Sequence, residues 1–129
     1  MQRDLQFRNE MTPEIRENAI DLLSRVNALL LEMLVMRPVV TSGWRPRGIN
    51  KNTKNAATKS NHMSGKAIDL LDDAEQTLAN RIMQNPEILD KFELWMEHPE
   101  HTRGKWTNWV HLDTGTRTAR EVRVFRPFA

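Results

Sequence analysis

A ladder of apolar residues near the start of the chain leaves little choice but a long helix. Ile15, Ala19, Leu22, Leu23, Val26, Leu29, Leu30, Met33 and Leu34 recur at helical spacing, so one face is apolar and needs a partner to bury it. Thr12-Pro13-Glu14 opens the pattern with an N-cap, a proline in the first turn and an acid at the positive end of the helix dipole. Pro38 stops it. The spacing predicts a helix from about residue 13 to about residue 36.

Beyond Pro38 the chain is too broken up to be a helical bundle. Val39-Val40-Thr41-Ser42 is β-prone and ends at Gly43. From Arg45 to Ser60 the chain is rich in Asn, Gly, Thr and Lys, and reads as a long polar loop of the kind that carries function. Lys66 to Leu71 is a second strand, and Asp72 or Asp73 caps a shorter helix from Ala74 to about Gln84, ended near Pro86. Phe92 to Met96, Trp109 to Asp113 and Glu121 to Phe125 are further strands. Short strands mixed with helices, without βαβ repetition, predict an α+β fold. Its small, mainly antiparallel sheet would pack on the long N-terminal helix and the shorter one. With 129 residues, the chain is read as a single domain spanning residues 1–129.

Several function classes fall away. There is no cysteine, so thiolate metal sites, cysteine nucleophiles and disulfides are excluded. The formal net charge of +2 gives no dominant field for nucleic acid. Arg117, Arg120, Arg123 and Arg126 recur every three residues, a spacing that alternates faces in a strand. They are read as a solvated rim suited to anionic wall polymers. The first residues lack the apolar stretch of a secretory signal, and no apolar run is long enough to span a bilayer. The expectation is a monomer made in the cytoplasm, with neither nucleic acid nor membrane as partner.

The chemistry is concentrated in two places. Ser60-Asn61-His62-Met63-Ser64-Gly65-Lys66-Ala67-Ile68-Asp69 sets a histidine at a loop end and an aspartate seven residues later in an apolar strand. A carboxylate between Ile68 and Leu70 is costly to bury without a partner. His111 sits in another apolar strand, Trp109-Val110-His111-Leu112. Two imidazoles and one carboxylate suit catalytic Zn²⁺, with a fourth position open to water. The competing reading pairs Asp69 with an arginine and makes His111 a structural core histidine.

These residues carry a resemblance. Ser60-x-His62-x-x-Gly65-x-Ala67-x-Asp69, followed downstream by Trp109-Val110-His111, resembles the zinc D-Ala-D-Ala carboxypeptidases of peptidase family M15, which share their fold with the hedgehog signalling domain. Ser42-Gly43-Trp44-Arg45-Pro46 resembles the Ser-Gly-Tyr-Arg segment that precedes the motif in that family. Leu94 to Pro99 and Arg123 to Pro127 add a likeness to its short, single-domain bacteriophage members. The resemblance implies His62, Asp69 and His111 as zinc ligands. Arg45 would bind the substrate's carboxylate or scissile carbonyl, and Ser60 would contact substrate or orient the loop. The implied activity is hydrolysis of D-alanine-containing peptide bonds in peptidoglycan, as a carboxypeptidase or an endolysin-type endopeptidase. It would act on the wall after release or as a virion component.

One position departs from the family pattern. Many members carry an acid three residues before the last histidine ligand, and here that residue is Asn108. Glu97 is therefore the expected general base, at the end of its strand. Asp113 is a second candidate, because it shares a strand face with His111, and its other role would be to support that histidine. His98 is read as capping a turn before Pro99, and His101 as exposed. Asn108 also leaves open a zinc-binding virion or structural protein that has the cage without the catalysis.

Overall fold

The computed structural model describes residues 11–43, 61–118 and 122–127. Helix α1 spans Pro13–Glu32. Strand β1 (Val40–Ser42) and strand β2 (Ala67–Asp72) come next, then helices α2 (Thr77–Gln84) and α3 (Glu87–Lys91). Strand β3 (Trp95–Glu97), a 3₁₀ turn at Pro99–His101, β4 (Asn108–Asp113) and β5 (Val124–Phe125) complete the order. The fold is α+β; the described residues form three helices and one five-stranded sheet ordered β1-β2-β4-β3-β5. Three strand pairs are antiparallel, but β5 runs parallel to β3, so the sheet is mixed rather than purely antiparallel.

Helix α1 starts where the sequence indicates: the Thr12 hydroxyl accepts the Ile15 N–H at 3.1 Å. It stops four residues before the expected end. Met33 caps it, Leu34 takes φ +60°, and the Val35 N–H reaches back to the Leu30 carbonyl at 2.9 Å. With Leu34 N–H on Leu31 O at 3.1 Å, this is the paired-bond closure usually built on glycine. The helix thus ends on its own backbone chemistry before Pro38 is reached. Its buried stripe is Leu22, Val26, Leu29 and Leu30 with Met33, while Leu23 and Leu34 face outward.

Strand alternation divides the sheet into two kinds of surface. Ile68 and Leu70 of β2, Met96 of β3 and Val110 and Leu112 of β4 join the α1 stripe and Ala79, Ile82 and Leu89 in one core. Each buried Leu, Ile, Val or Met there stabilises the fold by about 1.5–3 kcal/mol relative to exposure. The alternate residues, Asp69, Glu97, His111 and Asp113, lie on the other face. Asp72 and Asp73 hold the first turn of α2 through their side chains, but the helix begins at Thr77 rather than the expected Ala74, with Gln76 in a left-handed conformation as its N-cap. Asp72 accepts the N–H groups of Leu78 and Ala79, both at 3.0 Å, and Asp73 accepts that of Thr77 at 2.8 Å. Helix α3 occupies chain expected to lead directly into a strand. Its reversal at Glu93, φ +51°, delays β3 to Trp95.

Candidate metal centre

The β2–β4 register pairs Asp69 directly with His111, and Ile68 with Leu112 on the core side. Directly opposed residues share a face, and the His111 Nδ1 stands 2.9 Å from Asp69 Oδ1. His62 arrives from the turn before β2, with its Nε2 3.4 Å from the same oxygen. Gly65, at φ +74°, makes that turn possible: a Cβ there would meet the Ile15 carbonyl at 2.6 Å. Asn18 of α1 donates to the Ser64 carbonyl at 3.0 Å. The long helix is therefore the platform on which the His62 turn rests.

Each imidazole is held from behind. His62 Nδ1 lies 2.8 Å from the Gly43 carbonyl, which fixes the proton there and turns Nε2 toward Asp69. His111 Nε2 lies 2.6 Å from Asp113 Oδ2, which turns Nδ1 toward Asp69. Outer nitrogens bound to a carbonyl and a carboxylate, with inner nitrogens converging, are the usual support of metal-ligating histidines. The three inner ligand atoms lie within 4.8 Å of one another. Zinc ligands at about 2.0–2.2 Å in a tetrahedron stand about 3.3–3.6 Å apart. Asp69 Oδ1 is 2.9 Å from His111 Nδ1 and 3.4 Å from His62 Nε2, a cluster able to hold a metal ion without specifying which.

The electrostatics suit a cation. Burial would raise the Asp69 carboxyl pKa, but hydrogen bonds to His111 and His62 outweigh it and hold the group well below the carboxylate range. Burial would lower the His111 pKa, but the bonds to Asp113 and Asp69 push it up to about 9. Protonated on both ring nitrogens, His111 donates Nδ1–H to Asp69 and Nε2–H to Asp113.

Glu97 lies on the same face. Trp95 pairs with Asp113 and Met96 with Leu112, so one further step along the register sets Glu97 across from His111. Burial raises its carboxyl pKa; His111 opposes the rise, and Asp69 adds to it. Asp113 has a different position. It is fully buried; its Oδ1 accepts from Gly115 N–H at 3.0 Å and from Arg117, and its Oδ2 takes His111 and a second Arg117 nitrogen at 3.0 Å. It stands behind His111 as a support, with both oxygens engaged and neither turned to an incoming water.

The remaining sequence-derived residues divide cleanly. Arg45 and Ser60 lie outside the described residues. Asn108 is three residues before His111 on a strand, and hence on the opposite face. Its amide donates to the Asp73 and Ala74 carbonyls at 3.1 and 3.4 Å, so it is a brace between loops. His98 does cap the 3₁₀ turn, accepting the Glu100 N–H at 3.1 Å. His101 is half-buried, not exposed, and lies 3.5 Å from an Arg126 nitrogen. The expected basic rim is largely committed to the fold. Arg117 binds Asp113, Arg123 donates to the Leu94 carbonyl at 3.0 Å, and Arg126 pairs with Glu100 at 2.6 Å. Arg120 lies outside the described residues.

Sequence reasoning missed the Gly43 carbonyl and Arg117. A backbone acceptor leaves no residue signature. Arg117 comes four residues after Asp113, a spacing that signals contact on a helix but not in the extended chain found here. Among the described residues no helix is long and apolar enough to cross a membrane. Compared with protein-family models, curated proteins and solved structures, the chain matches none, so a functional reading rests on the site's own geometry and on the residues that form it.

Proposed function

We propose that the chain is a zinc-dependent peptidase acting on D-alanine-containing peptide bonds of bacterial peptidoglycan, in a fold of the hedgehog/DD-peptidase kind. The observation that carries the reading is the pair of histidines braced from behind, at Gly43 and Asp113, with their inner nitrogens converging on Asp69. His62, Asp69 and His111 would hold Zn²⁺, whose Lewis acidity, when bound, polarises a peptide carbonyl and acidifies an attacking water. Glu97 takes the proton from that water and returns it to the departing amine. Its raised pKa makes it a stronger base toward that water than an ordinary carboxylate. Arg45, by its place in the resemblance, binds the substrate's carboxylate or carbonyl through its planar fork. Asn108 does not weaken the proposal, since the face it occupies is the one away from His111.

The test is amine release from purified peptidoglycan by the wild type, His62→Ala and Glu97→Gln, each with and without chelator. Loss of release on chelation and in both variants is expected. Full release after chelation would sink the zinc peptidase. One equivalent of bound zinc without any release would leave a metal-binding protein of this fold that does not catalyse.

A further inference from the structure

The guanidinium of Arg117 ties the chain after β4 to the back of the candidate metal centre. It grips both oxygens of the fully buried Asp113, one at 3.0 Å and the other closer, while Asp113 Oδ2 holds His111 Nε2 at 2.6 Å. Its carbon lies 3.6 Å from the centre of the Phe125 ring and 5.6 Å from that of Trp95. The Phe125 ring in turn stands edge-on to His111, with ring centres 5.8 Å apart. A planar fork between a carboxylate and an aromatic face has few orientations open to it. The chain of contacts runs Phe125–Arg117–Asp113–His111, each member fixing the next.

We infer that Arg117 is a positioning residue for the metal centre: by clamping Asp113 it fixes the plane of His111 and selects Nδ1, not Nε2, as the metal-binding nitrogen. The inference rests on the zinc reading above and goes beyond it. It assigns a role to the segment after β4, which supplies none of the ligands. The geometry also says why lysine is a poor substitute: an ammonium is a point charge and holds one oxygen at a time.

The experiment measures Zn²⁺ affinity by chelator competition, and the visible absorption of the Co²⁺-loaded protein, for the wild type, Arg117→Ala, Arg117→Lys and Arg123→Ala. Arg123 is the control, because it stacks on Trp95 at 4.7 Å and ties down the same segment without touching Asp113. Loss of an outer support costs about 10–100-fold in metal affinity. Arg117→Ala is expected to show that loss with an altered cobalt spectrum, Arg117→Lys an intermediate loss, and Arg123→Ala less than about 3-fold with the wild-type spectrum. Wild-type affinity and spectrum in Arg117→Ala would overturn the inference and leave the zinc reading intact. So would an equal loss in Arg123→Ala, which would mark a general effect of the segment. Should Arg117→Ala not fold, Arg117→Lys decides: an unchanged spectrum and affinity there overturns the proposal. A wild type that binds neither ion defeats the zinc reading itself, and the inference with it.

Discussion

His111 meets Asp69 across the β2–β4 ladder at 2.9 Å, through the nitrogen that Asp113 leaves free. In the metal-free protein a proton occupies that contact, since the His111 pKa is pushed up to about 9. A metal and this proton compete for Nδ1. Zinc binding near pH 7 is therefore expected to release about one proton per ion, and affinity should fall about tenfold per pH unit on acidification. Titration calorimetry in buffers of different ionisation enthalpy measures the release. A heat independent of buffer would contradict the assignment of His111 as ligand.

The same contact makes the metal-free protein sensitive to pH. The folded His111 pKa is raised from 6.5 to about 9, so its contribution is fully present below 6.5 and is lost as pH rises through about 9. The size is on the order of 3 kcal/mol. Asp69 has the opposite sign: its pKa is lowered from 3.8, so its contribution is present above that value and is lost as pH falls through the folded pKa. Urea unfolding with chelator present should show a clear loss of stability between pH 6.5 and pH 9, and His111→Asn should flatten it. An unchanged slope in that variant would mean that other groups carry the effect.

Glu97 gives the catalytic prediction. The proposed base acts only when ionised, and burial places its pKa above the ordinary 4.5. Peptidase activity should thus fall on the acid side at a pH higher than that of an ordinary carboxylate. Glu97→Gln should lose about 10²–10⁴-fold in rate, the usual contribution of a general base. Zinc affinity should stay within a few-fold, because Glu97 is not among the three proposed ligands. Release of amines at the wild-type rate by Glu97→Gln would move the base elsewhere.

Much of this arrangement was legible in the sequence because it obeys short-range rules. Thr12-Pro13 marks the start of α1, and a carboxylate in the apolar run Ala67–Leu71 needs a cation or a donor. Even the shared face of His111 and Asp113 comes from strand alternation alone. The hidden parts depend on long-range geometry or on backbone atoms. The end of α1 lies in a left-handed Leu34, a conformation that leucine does not advertise. The parallel pairing of Met96 with Val124 joins segments whose pairing direction nothing local specifies. Asn108 shows the same limit from the other side. Its spacing to His111 matched a catalytic position by resemblance, but spacing of three on a strand puts the two on opposite faces.

Leu34 offers a test of the helix closure. Its side chain is 75% exposed, so little burial is lost on removing it. Its φ of +60° costs an L-residue about 1–2 kcal/mol, and glycine adopts it freely. Leu34→Gly is expected to stabilise the fold by about 1 kcal/mol and raise the melting temperature by a few degrees. Destabilisation would show that the Val35–Leu30 closure is not the native end of α1.

Asn108→Asp separates resemblance from geometry. Were Asn108 a lost catalytic acid, the substitution would restore or raise peptidase activity. The structure gives its amide other work: its nitrogen donates to the Asp73 and Ala74 carbonyls, and its oxygen accepts the Gly104 N–H at 3.3 Å. A carboxylate has no proton for the two carbonyls. The expected outcome is a loss of about 0.5–1.5 kcal/mol in stability, with no gain in activity and unchanged zinc affinity. Thermal melts, amine release and chelator competition on the one variant read all three. A gain in amine release would return position 108 to the site and take the base assignment from Glu97.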